Sequence, residues 1–273
     1  MGVMRRMLAL ALALGAVWGA VAAADGGGPS PGLDFGNGVV APGGKLRYSA
    51  VSDGRTTVLE SIVIGTGKIR NLTFFTGIFG IPRVTFGGDN GGLSRDGDNL
   101  VLATLVGPPS TRFLLVNART FQIRGQVRLP GRFSFDAISP DGSLMYLIQY
   151  FGPPNAIYQP YAVRAFNWNT LKLYPGSIVD RREPDEKMTG QPLARTGSPS
   201  GWAYTLYSRA KKPPFVHALD TVHRKAFCVD LPWRHSGTWI ASVRLRMRRG
   251  SLELRRRGRT IARMDTKTLA LSR

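Results

Sequence analysis

The sequence predicts an all-β chain of about five irregular four-stranded units, and three observations carry that prediction. One short motif recurs. Asn117-Ala118-Arg119-Thr120-Phe121-Gln122-Ile123 reads as Asn/Asp-x-x-Thr followed by an apolar residue, any residue and a second apolar residue. Asn167–Leu173 and Asp265–Leu271 match it fully, Asp220–Phe227 matches its start with His223 in the threonine place, and Val63–Ile69 keeps Thr66 and the last apolar residue. The threonine-type positions 66, 120, 170, 223 and 268 lie 45 to 54 residues apart, a period found in solenoids, propellers and arrays. Each motif sits between β-rich runs, and the 33 glycines and 18 prolines of the chain fall largely between those runs as turn punctuation. Each unit has room for about four short strands, the size of one propeller blade. The expected fold is therefore β-propeller-like.

The motif has a physical reading as a hairpin turn. Asn or Asp accepts a hydrogen bond from its own backbone two residues on, and Thr does so more weakly. In chain order, Lys45–Val51 and Thr56–Ile64 are expected as strands around Ser52-Asp53-Gly54-Arg55, where Asp-Gly is a strong hairpin signal. Ile69–Phe75 follows as a third strand, and the innermost strand is either missing or taken from Gly38–Pro42. Ile81–Phe86, Phe133–Ile138, Pro192–Thr196 and Thr238–Met247 are expected to begin the second to fifth units.

A second motif recurs at the turn before the next strand: Leu93-Ser94-Arg95-Asp96-Gly97, Ile138-Ser139-Pro140-Asp141-Gly142 and Gly197-Ser198-Pro199-Ser200-Gly201. Combined with the Asn/Asp-x-x-Thr turn, it resembles the exported YVTN-type, WD-repeat-like β-propellers of bacteria. The resemblance runs from Lys45 to Ser272. It implies an architecture and hardly any chemistry, because such propellers include lactonase-like enzymes as well as binding scaffolds. It also implies ring closure, with the first and fifth units as neighbours.

Met1 to Ala24 reads as a secretory signal peptide: Arg5 and Arg6, then the apolar run Met7–Ala20, then Ala22-Ala23-Ala24 before Asp25. The expected organisation is a signal peptide over 1–24, a Gly/Pro-rich leader over 25–44 and the repeat domain over 45–273. No other apolar run has that length, so no membrane span is expected after cleavage. The chain is expected in the cell envelope, periplasm or extracellular space. Its single cysteine, Cys228, excludes an internal disulfide and reads as a small core residue. The formal charge of +20 favours anionic surfaces. Export argues against nucleic acid as the partner; arginine-biased composition with no partner is the plain alternative.

The candidate ligand-binding residues fall where the repeat breaks. Gly87-Gly88-Asp89-Asn90-Gly91-Gly92 permits close backbone approach, and Asp89 and Asn90 supply oxygens suited to calcium. Plain turn chemistry explains the same residues. Asp136 lies inside an inner-strand run and is expected to face the channel. Arg181, Arg182, Glu183 and Asp185 belong to a long insertion that is expected either to cover a channel mouth or to pair its charges with itself. Three histidines occur, His217, His223 and His235, without a zinc-type spacing. The fifth unit departs from the pattern, with Arg244, Arg246 and Arg248 alternating with apolar residues, then Arg255, Arg256, Arg257 and Arg259. The expected function is a non-catalytic binding module of the cell envelope, without a cofactor, whose partner is a protein or an anionic envelope polymer. The alternative is a lactonase- or hydrolase-like enzyme with an acidic or calcium site at a channel mouth.

Overall fold

The computed structural model describes residues 30–107, 109–153, 159–185, 188–209, 212–234 and 237–272. The expected signal segment 1–24, the first part of the leader, Glu186, Lys187 and His235 lie outside the described residues. Among those described there is no α-helix, and no helix is long and apolar enough to cross a membrane.

Strands β1 (Leu33–Asp34) and β2 (Val39–Val40) come from the leader. They are followed by β3 (Leu46–Ser52), β4 (Thr56–Val63), β5 (Ile69–Thr76) and β6 (Ile81–Pro82). The next strands are β7 (Asn99–Ala103), β8 (Ser110–Asn117) and β9 (Ile123–Pro130), then β10 (Phe133–Ile138), β11 (Leu144–Tyr150), β12 (Tyr161–Asn167) and β13 (Lys172–Leu173). A further group is β14 (Gln191–Gly197), β15 (Trp202–Ser208), β16 (Phe215–Asp220) and β17 (Lys225–Asp230). The last is β18 (Arg244–Arg248), β19 (Ser251–Arg256), β20 (Arg259–Asp265) and β21 (Leu271–Ser272).

These strands form six small antiparallel sheets. Five follow one another along the chain: β2-β3-β4-β5, β7-β8-β9, β10-β11-β12-β13, β14-β15-β16-β17 and β18-β19-β20-β21. They are the first to fifth sheets below. β1 pairs with β6 apart from them, Leu33 opposite Pro82 and Asp34 opposite Ile81. The innermost strand of the first sheet comes from Val39–Val40, inside the Gly38–Pro42 stretch expected for it. The second sheet lacks a full inner strand. Ile81–Phe86 pairs only at its first two residues, and isolated bridges (Arg83 to Asn90, Leu93 to Leu100) replace the rest.

Both sequence motifs act as turns. The side-chain oxygens of Asn117, Asn167, Asp220 and Asp265 each accept the backbone N–H groups two and three residues on. The residue after the threonine-type position is then left-handed in all five units: Gly67, Phe121, Leu171, Arg224 and Leu269. At the other turn, the hydroxyls of Ser94, Ser139 and Ser198 accept the N–H that starts the following strand, at 2.9 to 3.0 Å. Gly142 there has φ 76°, and a Cβ on it would strike the Asn99 side chain of the preceding sheet.

Alternation along the strands buries both faces of each middle sheet. Apolar clusters fill the spaces between the first and second, second and third, third and fourth, and fourth and fifth sheets. Among the described residues no such cluster joins the first sheet to the fifth, so the expected meeting of the chain ends has no packed apolar seam. The start of the fifth unit also differs from expectation. Thr238–Ser242 is a 3-10 helix, and its spacing buries Ile240 and Val243 together. Of the expected strand only Arg244–Met247 is paired, as part of β18.

Candidate functional site

A cavity of 530 Å³ opens among the inner edges of the sheets, lined among others by Val40, Asn90, Ser94, Phe135, Asp136, Arg195 and Trp202. Its floor is set by an ion pair. Asp136 lies on β10 and Arg195 on β14, each three residues before the turn serine of its unit, Ser139 and Ser198. The Arg195 guanidinium binds the Asp136 carboxylate and its backbone carbonyl, and its Nε donates to Thr205 Oγ1 at 3.0 Å. Asp136 is 3% exposed and Arg195 12%. A charge so far from water requires a partner of this kind. The other carboxylate oxygen of Asp136, Oδ2, is buried without a hydrogen bond.

The glycine loop reaches across this space to the fourth sheet. Thr85 Oγ1 donates to Asp89 Oδ2 at 2.7 Å, and the same oxygen accepts the backbone N–H of Arg195 at 2.9 Å. Phe86 N–H donates to the Pro192 carbonyl at 2.9 Å. A Cβ on Gly87 would strike the Leu193 carbonyl, so glycine permits this approach. Asn90 Nδ2 donates to the Gly38 carbonyl at 2.7 Å, and its Oδ1 is buried without a partner. The loop thus ties the second sheet to the first and to the fourth.

One polar row crosses the fourth sheet toward the third. Arg195, Thr205, His217 and Cys228 stand opposite one another on β14, β15, β16 and β17. His217 is 1% exposed, and neither ring nitrogen has a hydrogen bond. Tyr207 meets its ring edge-on, with centroids 6.2 Å apart. Burial pushes the imidazole down to about 4, against a smaller upward pull from the Asp136 charge.

The insertion lies elsewhere. Asp180 bridges to Ala226 of β17, and its Oδ2 accepts the Cys228 N–H at 2.8 Å. Burial raises the Asp180 pKa, but hydrogen bonds from Arg182 and Cys228 outweigh it and hold the carboxyl below the usual range. Arg182 grips Asp180 at 2.6 Å and lies 5.3 Å over the Phe227 ring. The Glu183 N–H donates to the Asp180 carbonyl at 3.0 Å. Arg181 lines one outer cavity, with Tyr174 and Arg224, and Asp185 another, with Tyr161 and Met188. None of these four residues lines the cavity that holds Asp136. The described residues of the insertion thus lie at the outer edges of the third and fourth sheets.

Of the expected residues, the structure brings Asp89, Asn90 and Asp136 together and leaves Arg181, Arg182, Glu183 and Asp185 apart. Among the described residues no three His, Cys, Asp or Glu side chains converge as metal ligands would. The sequence does not mark out Arg195, and it offers His217 only as one of three histidines without a metal-type spacing. For Arg195 a signal existed, because it occupies the same place before its turn serine as Asp136.

No protein-family model matches the chain, and no curated protein matches it. Solved structures do. Hydrazine synthase of Kuenenia stuttgartiensis is 14% identical with a TM-score of 0.53, over 85% of this chain and 69% of that one. Prolyl oligopeptidase B of Galerina marginata is 15% identical with a TM-score of 0.50, over 88% of this chain and 33% of that one. TolB of Acinetobacter baumannii is 14% identical with a TM-score of 0.44, over 74% of this chain and 45% of that one. Likeness at such identity speaks for fold alone, here an all-β succession of small antiparallel sheets.

Proposed function

We propose that this chain is an exported, non-catalytic β-propeller module of the cell envelope, with five irregular blades formed by the first to fifth sheets, and that it works by binding a protein or an anionic polymer. One observation supports binding over catalysis. Polar groups in and beside the cavity already fasten the fold: Asp89 to Thr85 and Arg195, Asn90 to Gly38, Asp136 to Arg195. A general base needs a lone pair within reach of substrate. The charge left in solvent is mostly basic.

The second reading is a lactonase- or hydrolase-like enzyme with an acidic or calcium site, and Asp136 Oδ2 and Asn90 Oδ1, buried without partners, favour it. Pull-down from envelope extract, combined with metal analysis of the purified protein, separates the two. The binding module captures a partner, releases it as salt is raised, and keeps that capture in Asp136→Asn. Bound calcium that disappears in Asp89→Ala, or ester or lactone turnover that disappears in Asp136→Asn, would establish the enzyme instead.

A further inference from the structure

The fifth sheet divides its residues by face. Leu245, Met247, Leu252, Leu254, Ala262 and Met264 pack toward the fourth sheet. Strand pairing puts their alternates on the other face: Arg244 beside Arg255, and Arg246, Glu253 and Arg263 in one row, with Arg248 next to it. Five arginines thus share a sheet face with one glutamate. Asp265 lies at its margin, where its Oδ1 is taken up by the Lys267 and Thr268 amides.

The surroundings make this an ordered basic surface. Glu253 is 3% exposed and lies 3.9 Å from Arg248 and 3.5 Å from Arg263, whose own side chains are 63% and 53% exposed. The buried carboxylate lies within ion-pair distance of the two guanidinia and is itself shielded from an approaching anion. Arg244 uses one nitrogen on the Ala241 and Val243 carbonyls and is otherwise in solvent, as is Arg246. Alternate residues of a strand stand about 6.6 Å apart and neighbouring strands about 4.8 Å. The arginines therefore leave the sheet at points of a short two-dimensional lattice, each carrying a guanidinium suited to bidentate contact with carboxylate or phosphate. The apolar residues of this sheet point inward, so the face has nothing to insert into a bilayer. No aromatic ring stands in its rows for bases to stack on.

We infer that the outward face of the fifth sheet is the docking site for a linear anionic polymer with regularly spaced carboxylate or phosphate groups, held by Arg244, Arg246, Arg248 and Arg263. This rests on the binding-module reading and names its partner by charge complementarity.

The test measures binding of the purified full chain to polygalacturonate and to long-chain polyphosphate over a salt series. Vesicles of phosphatidylcholine with phosphatidylglycerol, and duplex DNA, are run beside them. Arg244 and Arg246 are not ion-paired to Glu253, so Arg244→Gln/Arg246→Gln leaves that carboxylate its partners. This variant is expected to weaken polymer binding about tenfold and to lower the log–log salt slope by about 2, as for two lost ionic contacts to a polyanion. Arg70→Gln/Arg128→Gln removes the same charge from exposed sites on other sheets and is expected to leave binding unchanged. Response to only one of the two polymers identifies the anion. Equal loss in both variants would reduce the effect to general basicity and overturn the inference, as would vesicles or duplex binding as tightly as the polymers. No polymer binding at all, beside salt-sensitive capture of an envelope protein, would sink the inference and leave the binding module standing.

Discussion

His217 is the residue whose chemistry and surroundings disagree most. It carries two polar nitrogens into the packing between the third and fourth sheets, and neither meets a partner. Its folded pKa of about 4 lies below the ordinary 6.5, so the unfolded chain takes up the proton first as pH falls. Stability is complete above pH 6.5 and declines down to about pH 4, by about 3 kcal/mol in all. Asp34 and Asp180, whose pKa values are lowered, lose their contributions only below the ordinary carboxylate value of 3.8, so the histidine window stands clear of theirs. Urea unfolding of the wild type between pH 7 and 4.5 should show this loss, and His217→Phe should remove it. A wild-type profile that stays flat there would refute the assignment. Turn chemistry is legible in the sequence because it is local; the setting of His217 is not. His217 is defined by what stands across two sheet faces, and no spacing along the chain records that.

At the scale of elements, the repeated turn makes one demand in every unit and meets it with different residues. The left-handed position after the threonine place holds glycine in the first unit and Phe121, Leu171, Arg224 and Leu269 in the others. Leu171 is mostly exposed, so Leu171→Gly removes strain with little loss of packing; thermal melts should show stability unchanged or raised by up to about 1 kcal/mol. Phe121 has the same backbone but is buried, edge-on to Tyr48 at 6.1 Å. Phe121→Gly should cost about 3 kcal/mol or more. If both variants lose stability equally, packing outweighs backbone strain at this turn. The five-unit reading of the sequence rested on these turns, and they are where the structure agrees with it best. In the second unit Ile81–Phe86 has strand composition, yet the glycines after it allow a loop, and only Ile81–Pro82 forms a strand. The pairing of Leu33–Asp34 with Ile81–Pro82 takes the place of an inner hairpin, and two-residue strands leave no periodicity to detect.

On the scale of the molecule, the two end sheets show solvent opposite chemistries. The outward face of the first sheet carries Val51, Ile69, Leu72 and Phe74, the last 64% exposed, and that of the fifth carries arginine. The sequence announced the second of these faces through the alternation of Arg244 to Arg248. It concealed the first, because Ile69–Phe75 reads as an ordinary strand whether or not another sheet covers it.

The loop from Thr85 to Asp89, which fastens the second sheet to the fourth, also governs how the protein comes apart. An array of sheets touching only their neighbours opens from its ends, one unit at a time, and its stability is nearly a sum of local terms. The bond from the Arg195 amide to Asp89 joins two units that are not consecutive, so the second, third and fourth sheets should open as a single cooperative block. The first and fifth should open earlier and independently. Native-state hydrogen exchange should therefore show one shared opening free energy for amides of β8, β11 and β15, and lower values for β4 and β20. In Asp89→Ala the shared value should divide. Were the wild-type amides of all five sheets to exchange with one free energy, the protein would be cooperative from end to end and this loop would not set its unit of unfolding.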